Sequence, residues 1–224
     1  MHRLTGSARF ICSAAASVAL LGACAGPAPQ ADACATPLSA TVPNSCVVVP
    51  DILWRGGRPD REVATLVGLG VKTVVNLELL HDDLDALLAI PAAPGLSGSL
   101  DYFRVRDWEP NVVIAPWLLD EHVAEFIAIM RTQAKPVYVH CRSGQNRTGV
   151  MVASYRVLAG MPVDDAIEEM RKYRGIWFDY DADYLRRLTG EHRQRLEAMI
   201  AAKMTQVKRK ARIECDATGC RQAP

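Results

Sequence analysis

Short β-branched runs alternate along this chain with stretches whose apolar residues recur every three or four positions, so strands and amphipathic helices are predicted in turn. Ile52-Leu53-Trp54-Arg55 makes a strand ended by Gly56-Gly57, and Pro59 opens a helix carrying Val63, Leu66 and Val67, which Gly70 closes. Val71 to Leu77 is β-branched and largely apolar, the mark of a buried strand in a parallel sheet. A short helix over His81 to Ile90, a loop from Pro91 to Ser99 and an alternating strand from Leu100 to Arg106 follow. That strand empties into the turn-rich Asp107-Trp108-Glu109-Pro110-Asn111, after which Leu119, Val123, Phe126, Ile127 and Met130 share one helical face. Lys135-Pro136 then leads into the strand Val137-Tyr138-Val139-His140, and Val150, Ala153, Val157 and Leu158 continue at helical spacing. Pro162 reopens a helix with Val163, Ala166, Ile167 and Met170 inside and Asp164, Asp165, Glu168 and Glu169 outside; one last helix holds Leu185, Leu188, Leu196, Met199 and Ile200. The expected fold is α/β, a central mostly parallel sheet flanked by helices.

The ends of the chain break this alternation. Arg3 and Arg9 precede an apolar run from Phe10 to Leu21, too short for a membrane span and of the form of a secretory signal. Leu21-Gly22-Ala23-Cys24 resembles the bacterial lipobox, which implies cleavage before Cys24 and lipid attachment to it; the alternative is ordinary cleavage after Ala25, leaving a soluble periplasmic protein. The expected layout is a signal peptide over 1–23, a flexible Ala- and Pro-rich tether over 24–46, a catalytic domain over 47–202 and a basic tail with two cysteines over 203–224. The resulting protein is exported and lipid-anchored, in the outer membrane of a two-membrane bacterium because Ala25 rather than Asp follows the cysteine.

Composition adds little pull toward any one partner. The 224 residues are 50% hydrophobic with a formal net charge of +1, ample for one core and without the positive charge that nucleic acid demands. Lys203, Lys208, Arg209, Lys210 and Arg212 form a local basic run, expected as a solvated helix end. Of the seven cysteines, Cys12 leaves with the signal, Cys24 is the lipid candidate and Cys141 stands apart. Cys34, Cys46, Cys215 and Cys220 remain; pairing them locally and stapling the two ends of the domain are equally open. No histidine lies near them, so zinc is not expected.

The chemistry concentrates in His140-Cys141-Arg142-Ser143-Gly144-Gln145-Asn146-Arg147-Thr148-Gly149. A loop between a strand and a helix N-terminus gathers amides and the helix dipole on an anion, and the same partial charge favours a thiolate at Cys141. Arg147, with five residues between it and Cys141, brings a planar, permanently charged fork opposite the sulfur. Gly144 supplies the backbone freedom the curl needs.

This loop resembles that of the protein tyrosine phosphatase superfamily. Trp54-Arg55-Gly56-Gly57-Arg58-Pro59 and the strand ending Asn76-Leu77 resemble the opening of bacterial dual-specificity phosphatases, so the likeness covers roughly residues 50–175. Many relatives carry arginine after the Asn-Leu pair; here Glu78 follows. The resemblance implies that Cys141 is the nucleophile, that Arg147 and the loop residues Arg142, Ser143, Gly144, Gln145 and Asn146 bind the phosphoryl group, and that Thr148 eases departure of the thiolate. It also implies that His140 orders the loop. Asp107, ending a strand before the turn-rich loop, is the expected general acid, with Glu109 its rival in the same loop. Neither metal nor cofactor is expected.

The expected activity is cysteine-dependent hydrolysis of a phosphorylated protein, phosphotyrosine foremost, or of a small phosphomonoester. The alternatives are an inositol-phosphate or phosphoinositide phosphatase of the same superfamily, which the absence of paired lysines in the loop disfavours, and a phosphate-binding module without turnover. Nothing in the chain points to an oligomeric state.

Overall fold

In the computed structural model, which describes Cys34 and residues 37–224, the β-branched runs pair into one seven-stranded sheet. The strands are β1 (Cys46–Val49), β2 (Leu53–Gly56), β3 (Thr73–Glu78), β4 (Gly98–Asp107), β5 (Val137–His140), β6 (Ala211–Asp216) and β7 (Gly219–Gln222), in the order β1-β2-β5-β3-β4-β6-β7. The central four are parallel, whereas β1 at one edge and β6-β7 at the other run antiparallel, so the sheet is mixed.

Strand alternation divides two cores. Leu53, Val75, Phe103, Val137 and Val139 face α4 (Pro116–Thr132), α5 (Asn146–Leu158), α6 (Val163–Arg171), α7 (Phe178–Arg187) and α8 (Gly190–Lys203). Trp54, Val74, Tyr102 and Tyr138 face the short helices α1 (Val63–Gly68) and α2 (Leu84–Leu88). A single turn, α3 (Asn111–Ile114), follows β4. Helix α5 is buried from Thr148 to Ala153 without a break because it lies directly under the sheet with α4, α6 and α7 around it. Each large aliphatic side chain shut away here stabilises by about 1.5–3 kcal/mol before the entropy of ordering it is subtracted.

Three departures from expectation stand out, and one open choice is decided. The last helix is two: Gly190, at φ +50°, breaks the chain between α7 and α8, and α8 folds back on α4 through Leu196 and Ile200. The expected tail over 203–224 instead contributes β6 and β7, a hairpin that puts Ala211, Ile213 and Cys215 into the second core. The described part of the expected tether, Cys34 and residues 37–46, packs on the domain, with Cys34 bonded to Cys46 and the Pro43 carbonyl accepting from the Gly57 amide at 2.7 Å. The cysteines pair locally, Cys34 with Cys46 and Cys215 with Cys220, while buried Cys141 stays free. The expected signal peptide and Cys24 lie outside the described residues. Among the described residues no helix is long and apolar enough to cross a membrane.

Candidate active site

Cys141 follows directly on β5, the strand held between β2 and β3 at the middle of the sheet, and α5 begins five residues later. The loop therefore stands at the carboxyl end of a central parallel strand, where such sheets bind ligands. The cysteine is only 1% exposed.

Three consecutive loop carbonyls are turned outward. The Arg142 carbonyl accepts from the Arg58 amide at 3.2 Å, the Ser143 carbonyl from Asn44 Nδ2 at 2.8 Å, and the Gly144 carbonyl from Arg55 Nη2. Across a trans peptide the carbonyl and the next amide point opposite ways, so the amides of Ser143, Gly144 and Gln145 turn into the loop. Among the described residues those amides donate to no protein acceptor. Gly144 is at φ +71°, and a Cβ there would lie 2.6 Å from the Gly56 carbonyl carbon and 2.7 Å from the Gly57 nitrogen. Only glycine lets the loop rest on the end of β2 in that conformation. Asn146 packs just as tightly on Gly175, and the Gln145 side chain donates to the Arg174 carbonyl at 3.3 Å. Arg142 is exposed and lines a neighbouring cavity of about 920 Å³ together with Arg58 and Arg61.

Arg147, in the first turn of α5, donates through Nη1 to the carbonyls of Leu77 (3.3 Å) and Asp107 (3.4 Å), at the ends of β3 and β4. Glu109 Oε1 lies 2.9 Å from Arg147 Nε, yet that buried N–H makes no hydrogen bond: the contact pairs charges but is not aligned. Thr148 is buried and its hydroxyl points to the Gly56 carbonyl at 3.4 Å. His140 reaches Asp83 in front of α2 (Nε2 to Oδ2, 2.8 Å), not the loop backbone, and stacks on Tyr138. Burial alone would raise the Asp83 carboxyl; the charge and hydrogen bond of His140, with His81 and Arg58 nearby, outweigh it and hold the group below its ordinary value.

The two acid candidates have different surroundings. Asp107, at the end of β4, is buried and its Oδ1 takes His122 Nδ1 at 2.8 Å and Asn111 Nδ2 at 3.4 Å. Glu109 is committed to Arg147. Close by, Asp181 of α7 is 4% exposed and its Oδ2 has no hydrogen-bond partner. Burial first, then repulsion from Asp107 and Glu109, pushes its carboxyl up to about 8. Glu78 accepts two hydrogen bonds from Arg58, two residues past β2, at 2.8 and 2.5 Å. Burial raises Glu78, but those bonds and the Arg58 charge leave it below its usual value.

The sequence did not point to Asn44, Asp83 or Asp181. Arg55 lay within the segment that resembles the opening of dual-specificity phosphatases, but no role was assigned to it.

A family model described as "DSP-PTPase phosphatase fused to NAD+ Kinase" matches residues 50–176. The curated dual specificity protein phosphatase TpbA of Pseudomonas aeruginosa is 32% identical over 126 residues, 53% of this chain and 50% of that protein. The chain thus spans about half the length of the curated relatives it matches. Among solved structures, that of P. aeruginosa TpbA superposes with a TM-score of 0.55 at 23% identity, covering 79% of this chain and 99% of the other. TpbA in complex with pTyr superposes at 0.52 and 20% identity over the same shares. The core catalytic domain of the S. cerevisiae PP-IP phosphatase SIW14 gives 0.52 at 20% identity, covering 76% and 99%.

Proposed function

The chain belongs to the DSP-PTPase phosphatase family, and from that premise we propose that it hydrolyses phosphomonoesters through Cys141, with phosphotyrosine-bearing protein as the main substrate. One observation carries the proposal. Around the buried sulfur of Cys141 the loop turns three free amides inward, and Arg147 adds a buried N–H without an acceptor. The buried, unsatisfied Arg147 Nε–H is costly, and a phosphoryl group's equatorial oxygens satisfy it together with the inward amides.

In the first step the thiolate attacks phosphorus, forming an S–P bond as the ester P–O bond breaks, while Asp107 gives its proton to the departing oxygen. In the second, water attacks phosphorus, the S–P bond breaks, Asp107 recovers a proton from that water, and the Thr148 hydroxyl supports the departing sulfur. Positioning and charge supply most of the rate. Glu109 is the rival: its carboxylate faces Arg147 at 2.9 Å, whereas that of Asp107 faces His122 at 2.8 Å. The substrate preference is supported by the name of the 32% identical relative, a dual specificity protein phosphatase.

The test is a turnover panel of phosphotyrosine peptide, phosphoserine peptide and inositol polyphosphate on the wild type, Cys141→Ser, Asp107→Asn and Glu109→Gln. Cys141→Ser should fold and lose turnover; Asp107→Asn should slow poor leaving groups by about 10²–10⁴-fold and good ones least. Activity retained in Cys141→Ser, or the leaving-group effect moving to Glu109→Gln, overturns the corresponding role. We also propose export, supported by the two disulfides; cell fractionation with free-thiol counting tests it, and recovery in the cytoplasmic fraction with Cys34, Cys46, Cys215 and Cys220 reduced would refute it.

A further inference from the structure

We propose that Arg55 is a positioning residue and the buried countercharge of the phosphate-binding loop, acting on the anion site from beneath through the Gly144 carbonyl. The inference rests on the phosphatase function proposed above and adds a second cation to it.

Arg55 sits on β2, paired in register with Val139 of β5, two residues before Cys141, so its side chain leaves the sheet on the Val139 side. It is 1% exposed, among the most deeply buried charged groups of the fold. Its Nη2 donates to the Gly144 carbonyl, and its guanidinium carbon lies 3.7 Å over the Tyr173 ring. Nε makes no hydrogen bond. Among the described residues no carboxylate forms an ion pair with Arg55, and the carboxylate sharing its cavity wall, Glu169, is paired to Arg156 at 3.2 Å.

A guanidinium shut away from water with no carboxylate in ion-pair contact is an unfavourable arrangement unless nearby anions compensate it. The acidic groups whose charge acts on it are Tyr173, then the Cys141 sulfur one residue beyond the β5 strand that flanks it, then Glu169 and Tyr138. Burial draws Arg55 down to about 10, which leaves it protonated at neutral pH. Glu169, shared with Arg156, compensates Arg55 only in part; the loop's anion, the Cys141 thiolate or the phosphoryl group it receives, supplies the rest, and Arg55 in return turns the Gly144 carbonyl outward and the Gln145 amide inward. Tyr173 is braced from behind: its hydroxyl lies 3.4 Å from Cys46 Sγ, on the strand next to Arg55.

Two substitutions test the charge. Arg55→Gln removes it, and its amide, two bonds shorter, falls short of the Gly144 carbonyl; Arg55→Lys keeps the charge and loses the planar stack on Tyr173. The readouts, on full-length protein at neutral pH, are inhibition by inorganic tungstate and the ratio of Cys141 alkylation rates by anionic iodoacetate and neutral iodoacetamide. That ratio reports the potential at the sulfur and requires no turnover. Arg55→Gln should lower the ratio and weaken tungstate inhibition on the order of tenfold each, with Arg55→Lys within about threefold of wild type. A wild-type ratio in folded Arg55→Gln overturns the proposal. If that variant does not fold, Arg55→Lys decides alone: a ratio within about threefold supports the countercharge and a tenfold loss overturns it. A wild-type enzyme that shows no preference for iodoacetate and no tungstate inhibition would instead count against the phosphatase function itself.

Discussion

Asp181→Asn should remove a pH dependence from the stability of this protein. The Asp181 carboxyl is buried on α7 with one oxygen unpartnered, and burial with repulsion from Asp107 and Glu109 raises it to about 8. In the unfolded chain the same carboxyl releases its proton near pH 4. Between about pH 4 and pH 8 the folded protein therefore holds one proton more than the unfolded chain, and raising the pH favours unfolding by about 1.4 kcal/mol per unit. From about pH 5 to pH 7 the sum is roughly 2.7 kcal/mol. Asparagine has nearly the same shape and carries no charge in either state. Whatever its amide costs in packing or lost hydrogen bonds is the same at each pH, so the change in the difference between variant and wild type isolates the proton. Urea denaturation at about pH 5, 6 and 7, disulfides intact, should show Asp181→Asn gaining roughly 2–3 kcal/mol on wild type across that range. Parallel stability curves for the two proteins would refute the buried neutral carboxyl.

Two further perturbations probe the loop and its supports. Gly144→Ala forces a left-handed residue to carry a Cβ 2.6 Å from the backbone of Gly56; it should cost roughly 2–4 kcal/mol in urea denaturation and lift the loop enough to remove turnover, whereas wild-type stability and turnover together would show that the close approach is not needed. Replacing Cys34 and Cys46 by serine opens a loop of sequence separation 12 and should destabilise by about 2–3 kcal/mol. Because Cys46 touches Tyr173, the same variant should lower kcat for a phosphomonoester while KM changes less; an unchanged kcat would separate the disulfide from the site.

The sequence disclosed what local pattern can carry. The strands around Val74 and Val139 and the buried stripe of α4 are legible because their periodicity is strong and their partners are simply the rest of the core. The break at Gly190 was hidden by apolar residues that continue through it, Leu185, Leu188, Leu196 and Ile200, with no proline to mark the turn. The terminal hairpin was hidden for a related reason. Ala211, Ile213 and Cys215 do alternate inward, but arginine and glutamate between them, and the basic run before them, have the composition of a solvated end. The rival pairings of the four cysteines could not be separated because spacing says nothing about which segments the sheet brings together.

The active-site loop divides along the same line, and the division has a physical cause. A motif names the residues that face the anion. It is silent about those that face away, although an inward amide is obtained only by giving the carbonyl on the other side of the peptide plane a donor of its own. Here those donors come from three places: the Arg58 amide, the Asn44 side chain 99 residues before Ser143, and the Arg55 guanidinium 89 residues before Gly144. Asn44 belongs to the segment expected to be a tether, and Arg55, though within the segment that resembles relatives, sits in a strand whose other residues are apolar, so neither position states its task. Each of these donors must be in place before the loop can present its amides, which makes the end of β2 and the segment before β1 part of the anion site as much as the loop itself. A chain with Cys141, Arg147 and the glycines intact but without Asn44 and Arg55 would keep the motif and lose the geometry that gives it meaning.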